Sequence, residues 1–585
     1  MHYVCTLCSA PRGRVGDRAE FEYYAPGHFH VAGGKLRVTV SSIQAIEDYF
    51  RFCPGEEHVR ISDAVCRGRR RSNFPKCRGC QFNDEEHRSG VAPSASAAPA
   101  TSNAGAGDRA AEAAEKQKRD QIESVFKAYD IRGVYQDPLD AEMAWRIGQS
   151  IAQFLRSELR GYDRSLPEKS TIVVGRDMRK SSPELAAALI EGLRAGGSPV
   201  IDIGMVDTPQ LYFAVNHFTC CGGVQVTASH NPAQHNGFKV CGLRGRPVGA
   251  ETGLSKICKI ARNTLKIASP QVGPPRQEDL TAPYRDFVRS FLTRNGAKYT
   301  AERPLRIVVD ASNGMAGRAF PLVFSDIEWI DVIRLNFDHN GDFVHDPNPL
   351  VDKNLTQVRD RVIRSRAHMG ICFDGDADRC VFIDNNGQAV RSDLMTALLA
   401  RQFLLDSVGS TVVYDLRCSR VVPEEIRKAG GSPRRERCGH SYIKKALSDS
   451  KGVFAGELSG HYYFRDNWFC DSGLIAVAHV INLLTETGKT LADLTAPLQR
   501  YSHSGERNFE NPDPERTIKL LSQRYAGGEI DYLDGITVQF EDWWFNVRPS
   551  NTEPLLRLNL EARTEIMMAD RLAELVPLLG KPVTG

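Results

Sequence analysis

Strand-like runs of β-branched residues recur along the chain, and a helix-like segment follows each of them. Such units begin at TIVVGRD (171–177), LRIVVDASNG (305–314) and TVVYDL (411–416). Runs that are apolar throughout are typical of strands buried on both faces of a parallel sheet. After the first run, Ser182 as N-cap and Pro183 in the first turn predict the start of a helix. The sequence therefore predicts an α/β fold with three doubly wound, mostly parallel sheets.

The C-terminal part of the chain has a different pattern. The runs ITVQF, WWFNVRP and LLRLNLEAR resemble strands with short links, and residues 566–579 form an amphipathic helical pattern. We expect a smaller α+β domain here. At about 150 residues per domain, a chain of 585 residues also suggests about four domains.

Composition limits the class of protein and its partners. Hydrophobic residues make up 41% of the chain and charged residues 25%, as in ordinary globular proteins. The 75 Lys and Arg nearly balance the 72 Asp and Glu, so the overall charge favours neither nucleic acid nor an anionic membrane as partner. The chain has no long apolar run and no signal-peptide core at its N-terminus, and we expect a cytoplasmic protein without a membrane partner.

Six of the 15 cysteines lie in the first 80 residues. Four of them form two CxxC pairs, Cys5 with Cys8 and Cys77 with Cys80, which can supply four thiolates to a tetrahedral Zn²⁺. We expect structural zinc in this module. The alternatives are unliganded thiols or an iron–sulfur cluster on Cys53, Cys66, Cys77 and Cys80.

The cysteine-rich module shows signs of folding and ends in a linker. Residues 35–40 alternate like a strand, and Ser41 to Phe52 resembles a helix with a capping box. A basic cluster at 67–78 is compatible with nucleic-acid binding, but a solvated face is the more frequent outcome for such clusters. Residues 88–120 are low in complexity and lack large apolar side chains, which predicts a flexible linker. The partner of the module is not indicated by its sequence.

Two motifs place chemistry at strand ends. Ser229 lies in TASHNP (227–232), directly after the strand-like run GGVQV, so its hydroxyl should be presented on a loop. DGDADR (374–379) places three carboxylates at alternate positions, where an extended segment would direct all of them at one hard cation; they belong to Asp374, Asp376 and Asp378. An EF-hand is excluded because the sixth position of that loop requires glycine and is Arg379 here.

Three further motifs complete a set: YDIRG (129–133), GELSGH (456–461) and RPSNTEP (548–554). Together with TASHNP and DGDADR, and in the same order, they resemble the α-D-phosphohexomutase family, in particular its phosphomannomutase/phosphoglucomutase branch. The resemblance covers roughly residues 122 to 580 and leaves the cysteine-rich module outside. Asn551, where the glucosamine branches have glycine, favours the mannose/glucose branch.

The resemblance implies a role for each motif. Ser229 would carry a phosphoryl group, and the three aspartates would bind Mg²⁺ together with an oxygen of that group. Arg379 would lie beside the same phosphate. Lys239, Arg132 and His461 would be catalytic, and Lys239 would act as general acid and base with a pKa lowered by burial or by cationic neighbours.

The remaining motif residues would hold the substrate. Glu457 and Ser459 would bind neighbouring sugar hydroxyls, and Tyr129 and His440 would line the same site. Contacts limited to the 3- and 4-hydroxyls would ignore the configuration at C2, so that mannose and glucose would both fit. The phosphate that does not react would be held by Arg548, Ser550, Asn551 and Thr552.

The implied activity is reversible interconversion of hexose 6-phosphate and hexose 1-phosphate, with a hexose 1,6-bisphosphate as intermediate and activator. The partners would be small phosphosugars. The alternatives are a mutase for another hexose or aminohexose phosphate, and a silent mutase scaffold that acts through its N-terminal module. The expected segments are 1–87 (cysteine-rich module), 88–120 (linker), 121–275, 276–388, 389–498 and 499–585 (domains I to IV).

The cysteine-rich module yields a direct prediction. The full-length protein should co-purify with about one Zn²⁺ per chain, because four thiolates satisfy one tetrahedral ion. Metal analysis of the wild type and of Cys77→Ser should show zinc in the first and its loss in the second. If neither zinc nor iron is present in stoichiometric amount, the metal assignment is wrong.

Overall fold

The computed structural model describes residues 116–159, 167–266, 272–293, 298–550 and 555–583, together with the backbone of five short strands nearer the N-terminus. These five strands are β1 Glu22–Tyr23, β2 Phe29–Val31, β3 Gly34–Leu36, β4 Phe50–Phe52 and β5 Arg60–Ser62. The first three form one antiparallel sheet, and β4 pairs with β5.

The helix expected over Ser41 to Phe52 is therefore wrong at its end, where Phe50–Phe52 forms a strand paired with a later segment. The proposed zinc ligands Cys5, Cys8, Cys77 and Cys80 lie outside the described residues, as does most of the predicted linker.

The rest of the chain contains strands and helices in alternation. The strands are β6 Ile131–Val134, β7 Ile172–Arg176, β8 Val200–Met205, β9 Gly222–Val226, β10 His235–Gly242, β11 Arg276–Gln277, β12 Leu305–Asp310, β13 Ile330–Leu335, β14 Met369–Phe373, β15 Cys380–Ile383, β16 Ala389–Val390, β17 Thr411–Asp415, β18 Ser432–Glu436, β19 Phe454–Gly456, β20 Tyr462–Phe464, β21 Ser502–His503, β22 Arg507–Glu510, β23 Glu529–Asp531, β24 Ile536–Gln539, β25 Trp543–Pro549, β26 Leu555–Ala562 and β27 Lys581–Val583. The main helices are α1 Ala141–Glu158, α2 Ser182–Ala195, α3 Thr208–His217, α4 Ser255–Asn263, α5 Thr281–Arg289, α6 Ala316–Phe324, α7 Thr356–Ser365, α8 Ser392–Leu405, α9 Val421–Lys428, α10 His440–Asp449, α11 Gly473–Thr487, α12 Leu491–Thr495, α13 Pro514–Arg524 and α14 Glu565–Leu579. None of the described helices is long and apolar enough to cross a membrane.

Three mixed sheets follow one another along the chain. The first has the order β11-β8-β7-β9-β10-β6, in which β11 to β9 are parallel and the last two strands are antiparallel. The second has the order β13-β12-β14-β15-β16 and the third β18-β17-β19-β20, each with a parallel part and an antiparallel edge. The predicted α/β architecture is confirmed, and the sheets, which were expected to be mostly parallel, are mixed.

The C-terminal sheet has seven strands in antiparallel pairings and packs against α13 and α14. It has a hydrophobic core of its own, which includes Leu521, Phe545 and Leu575. The first three domains each have a smaller cluster of their own but also share one core cluster, to which Phe213, Phe373 and Leu474 contribute from successive domains. The C-terminal domain is thus the part whose core is separate from the others.

Side-chain caps fix where several helices begin. Asp140 accepts a hydrogen bond from the Met143 amide (2.7 Å), and Ser472 accepts one from the Ile475 amide (3.2 Å). The predicted N-cap at Ser182 is wrong by one residue. Ser182 is the first helical residue, Ser181 precedes it without a capping bond, and the Ser182 hydroxyl donates instead to Asp177.

Helices α1 and α2 cross so closely that two positions have no room for a side chain. A Cβ at Gly148 would lie 2.3 Å from the Leu189 carbonyl oxygen, and one at Gly192 would lie 2.0 Å from that of Trp145. Backbone atoms cannot move away from such a contact without separating the helices.

Gly192→Ala should therefore destabilise the first domain by about 1–3 kcal/mol, the usual cost of overpacking. Urea unfolding followed by circular dichroism would measure it. Gly273→Ala is a suitable control because a Cβ there meets no atom within 4 Å, and its effect should stay within about 0.5 kcal/mol. Equal stability of the two variants would contradict the close helix crossing.

Candidate active site

The loop after β9 holds Ser229 in a strained and fully buried position. Its φ of 51° lies in the left-handed region, which costs a residue with a side chain on the order of 1–2 kcal/mol. The Ser229 amide donates to the Thr227 hydroxyl (3.0 Å). This fixes the backbone turn just before the serine, so that the hydroxyl points away from the strand into the site.

Arg179, which the sequence analysis did not single out, holds this loop from inside the first domain. Its side chain is 1% exposed. The guanidinium donates to the carbonyl oxygens of Ser229 (2.9 Å), Asn231 (2.6 Å), Pro232 (2.7 Å) and His235 (3.0 Å). Asp177 balances its charge at 3.1 Å. One buried cation thus ties together four loop carbonyls, of which the Pro232 carbonyl also accepts from the His235 amide (3.0 Å).

The loop after β14 brings three carboxylates to Ser229. Asp374, Asp376 and Asp378 are at most 2% exposed, and their nearest oxygen atoms lie within 4.8 Å of one another. The Ser229 hydroxyl donates to Asp374 Oδ2 at 2.8 Å. The two loops approach closely at Gly375. A Cβ at this position would lie 2.3 Å from the Ser229 carbonyl oxygen, so a larger residue would push the loops apart. The two motifs, about 145 residues apart, therefore form one site.

Two basic side chains balance these carboxylates. Lys239 Nζ, on β10, donates to Asp376 Oδ2 (2.7 Å) and to Asp378 Oδ2. Arg379 Nη2 donates to the Ser229 hydroxyl (3.3 Å) and to His230 Nδ1 (2.6 Å). Because of burial and then of Arg379, the pKa of His230 is held well below its usual range.

The pKa of Lys239 differs from the sequence-based expectation. Burial alone would lower it, but the carboxylates of Asp376 and Asp378 outweigh burial and raise the pKa above its ordinary value. The expected lowered pKa is therefore wrong for this arrangement. As an ammonium group, Lys239 can donate a hydrogen bond or a proton but cannot accept one.

The aspartate cluster fits a divalent cation with oxygen ligands. Burial, followed by repulsion from Asp378 and Asp376, raises the pKa of Asp374 well above its usual range. Asp376 Oδ1 is buried and has no hydrogen-bond partner. A hard cation would relieve both features, because it takes carboxylate oxygens as ligands and offsets their mutual repulsion.

The GELSGH segment approaches the aspartate loop through the backbone and through a histidine. Arg379 and His461 form an isolated antiparallel bridge, and His461 Nε2 lies 3.4 Å from Asp378 Oδ1. The Ser459 hydroxyl lies 2.9 Å from His461 Nδ1 and 3.3 Å from Glu457 Oε2. Glu457 is buried and also accepts a hydrogen bond from the Tyr463 hydroxyl. The GELSGH segment therefore offers the site hydrogen-bond acceptors and a small hydroxyl donor, which suit the hydroxyl groups of a ligand.

The structure places the other first- and third-domain residues around the same site. Arg132 on β6 lies opposite Gly237, two residues from Lys239, and its guanidinium donates to Asn231 Oδ1 (2.5 Å). Tyr129 donates to the Cys438 carbonyl (2.9 Å), and its ring contacts that of His440 edge to face.

His440 completes this aromatic group. Its ring also lies 6.2 Å from that of His461. Burial, followed by the nearby Lys444, lowers the pKa of His440 well below its usual range, so the ring is neutral.

The fourth domain contributes Arg548 at the end of β25. Arg548 is 3% exposed, and its Nε has no hydrogen-bond partner while Nη2 donates to Glu506 (2.9 Å). Ser550 directly follows β25, and its amide donates to the Leu555 carbonyl (2.8 Å). Asn551 and Thr552 lie outside the described residues.

Comparison with known proteins covers all four domains. Four descriptions of phosphoglucomutase/phosphomannomutase domains match in order: α/β/α domain I at residues 123–267, domain II at 283–387, domain III at 391–501 and the C-terminal domain at 506–577. The chain belongs to the phosphoglucomutase/phosphomannomutase family.

Relatives of the mutase support the same conclusion. A protein of Xanthomonas campestris pv. campestris (strain B100) named "Phosphohexose mutases" is 37% identical over 451 residues, which cover 76% of this chain and 96% of that protein. The phosphomannomutase of Escherichia coli (strain K12) is 35% identical over 469 residues, covering 78% of this chain and 99% of the relative. A phosphoglucomutase/phosphomannomutase family structure from Burkholderia thailandensis aligns with a TM-score of 0.68 at 31% identity, covering 78% of this chain and 97% of that one. The protein is an intramolecular phosphotransferase acting on hexose phosphates.

Glu506 is a second residue of the mutase that the sequence analysis missed. It is the first residue of the matched C-terminal domain, and its carboxylate accepts from Arg548 and Arg557 (3.1 Å) and lies 3.6 Å from Arg417 Nη1 of the third domain. Burial would raise the pKa of Glu506, but the three arginines lower it to about 2. A carboxylate at a domain boundary thus joins cations from two domains, and nothing in its neighbouring sequence indicates these partners.

Glu506→Gln should raise KM for the phosphosugar about tenfold or more with a smaller change in kcat, because a charge-assisted hydrogen bond that aligns Arg548 contributes about 1.5–3 kcal/mol. Steady-state kinetics would measure both parameters. Glu510→Gln is the matched control, since Glu510 is exposed and its carboxylate lies 3.8 Å from Lys581 Nζ. A KM equal to that of the wild type would show that Glu506 does not orient Arg548.

Proposed function

We propose that the protein interconverts hexose 6-phosphate and hexose 1-phosphate, with mannose or glucose as the sugar, through a phosphorylated Ser229. The supporting observation is the 2.8 Å hydrogen bond from the Ser229 hydroxyl to Asp374, inside a buried group of carboxylates and cations. A phosphoserine carries between one and two negative charges, and a buried position tolerates it only when cations surround it. Lys239 and Arg379 provide such cations at the place where the serine lies.

Mg²⁺ is the cofactor that suits the donor set. Asp374, Asp376 and Asp378 would hold it, since Mg²⁺ prefers carboxylate oxygens and phosphate oxygens to nitrogen or sulfur ligands. When bound, the ion would neutralise charge on the transferring phosphoryl group.

The transfer requires one bond to form as another breaks. A free hydroxyl of the sugar phosphate attacks the phosphorus of phospho-Ser229, the bond between phosphorus and Ser229 Oγ breaks, and the product is a hexose 1,6-bisphosphate. The bisphosphate turns end for end, and its other phosphoryl group returns to Ser229. A trace of bisphosphate is therefore needed to phosphorylate the serine at the start. The attacking hydroxyl loses its proton in the first step.

The catalytic residues have separate tasks in this proposal. Lys239, held as an ammonium, donates to the phosphoryl oxygens and supplies the proton to the departing Ser229 oxygen. His461 lies at the border of the aspartate loop and the sugar-facing segment, where an imidazole nitrogen can accept the proton of the attacking hydroxyl. Arg132 and Arg379 balance charge on the oxygens of a loose, in-line transition state.

The substrate site has to accept both orientations of the bisphosphate. Glu457 and Ser459 offer acceptors and a donor to adjacent sugar hydroxyls, with Tyr129 and His440 beside them. Arg548, with Ser550, Asn551 and Thr552, would hold whichever phosphate is not reacting. Because the C-terminal domain has its own core, it can move relative to the other three and admit the turning intermediate.

Kinetics on mannose 1-phosphate and glucose 1-phosphate would test the proposal. The full-length protein should turn over both with comparable kcat/KM, in the cytosolic pH range and with added Mg²⁺ and bisphosphate. Ser229→Ala should lower kcat by roughly a thousand-fold or more on either sugar, since the phosphoryl acceptor is lost. Ser124→Ala, on an exposed serine, should have no effect.

The outcome distinguishes the remaining alternatives. Strong preference for an aminohexose phosphate would assign the enzyme to another substrate of the family. A folded wild-type protein without turnover on any hexose phosphate would contradict the proposal and favour a silent scaffold that acts through its cysteine-rich module.

A further inference from the structure

A cavity lies at the boundary of the second and third domains. It has a volume of about 650 Å³, and its lining includes Lys298, Tyr299, Arg366, His368, Lys489 and Thr490. We refer to it as the boundary pocket. Its volume falls within the range of about 300–1,000 Å³ that is usual for small-molecule sites.

The boundary pocket is separated from the Ser229 site by the length of a strand. His368 directly precedes β14, and Asp374 directly follows it. Six residue steps separate His368 from Asp374, and at about 3.3 Å each they place the two residues about 20 Å apart. A ligand in the boundary pocket would therefore not touch the aspartates, and the pocket is not part of the substrate cleft.

The charged residues that line the pocket are all positive. Three of its lining residues are cations, Lys298, Arg366 and Lys489, and none of the lining residues is an acid. Within the described parts of the chain none of these three cations forms an ion pair with a carboxylate. Asp493, which does not line the cavity, is influenced by the charge of Lys489, but the lining itself carries no acid, so an anion that entered would be attracted by all three cations.

The rest of the lining suits an organic group attached to that anion. The Tyr299 ring lies edge to face with His368 (5.3 Å), and Ile363, which also lines the cavity, is 57% exposed. Asn385 and Asn386 add amide groups that can pair with the polar edge of a heterocycle. An inorganic anion would leave this apolar and amide surface without a partner.

The pocket also joins two domains that meet around the cleft. Lys298 Nζ donates to the Gly488 carbonyl (2.5 Å), and Asn385 Oδ1 accepts from the Ala492 amide (3.2 Å). Arg366 follows α7 of the second domain, whereas Lys489 follows α11 of the third. A ligand held by both cations would hold these domains together.

We propose that the boundary pocket binds a nucleoside phosphate, with its phosphates against Lys298, Arg366 and Lys489 and its base against Tyr299 and the two asparagines. The site is separate from the substrate cleft, and its existence does not depend on which hexose phosphate the enzyme converts.

Isothermal titration calorimetry of the full-length protein with ATP, in excess EDTA so that no divalent ion bridges ATP to the aspartates, would test this. We expect saturable binding to the wild type. Arg366→Glu combined with Lys489→Glu should weaken it at least about tenfold, the equivalent of 1.4 kcal/mol. Both residues are exposed, so the double variant should fold and keep the mutase activity of the wild type.

Arg361→Glu is the matched control, because Arg361 is an exposed arginine of the same α7 that does not line the cavity. It should bind ATP like the wild type. Unchanged ATP binding in the double variant, or no binding to the wild type, would overturn the proposal. Pyrophosphate that binds as tightly as ATP would overturn the recognition of a nucleoside.

Discussion

The balance of charge around three buried aspartates is the constraint on which the rest of this structure depends. Asp374, Asp376 and Asp378 are almost fully buried, and a carboxylate in such a position is costly unless cations or metal ions compensate it. Lys239 comes from the first domain and Arg379 from the aspartate loop itself. The first and second domains therefore have to meet where the serine loop ends, and the site exists only in the assembled molecule. The same balance keeps Lys239 charged, which is why it is assigned a donor role.

The serine loop and the segment around Arg548, here called the clamp, are held in place in two different ways. The loop is strained at Ser229 and is held by Arg179, which satisfies four carbonyl groups from the interior of one domain. The clamp is held across a boundary, where Glu506 links Arg548 to Arg417. The first arrangement is rigid because its partners are buried and close in one domain. The second depends on contacts between two domains, because Arg548 belongs to a domain with its own core.

The sequence predicted the parts of the molecule that depend on local pattern. β-Branched runs identified the strands of three sheets, and short strands with a final helix identified the different C-terminal domain. Ser229 and the aspartates, which the structure brings together, could be singled out in the sequence because each motif is contiguous, and their roles stay predictions. Arg179 and Glu506 were missed because their partners are distant in sequence and their neighbours carry no motif. The pKa of Lys239 was predicted in the wrong direction because the sequence does not show that two carboxylates face it. The strand at Phe50–Phe52 was missed because its pairing partner, Arg60–Ser62, lies beyond the predicted helix.

The central claim is that the hydroxyl beside the aspartates carries the phosphoryl group. Mass spectrometry of the full-length protein after incubation with hexose 1,6-bisphosphate would locate the modified residue directly. The account predicts a single phosphate on Ser229, whose occupancy falls when hexose monophosphate is added in excess, because the phosphoryl group then leaves as hexose 1,6-bisphosphate. Turnover accompanied by phosphate on a different residue, or by none on Ser229 under these conditions, would contradict it.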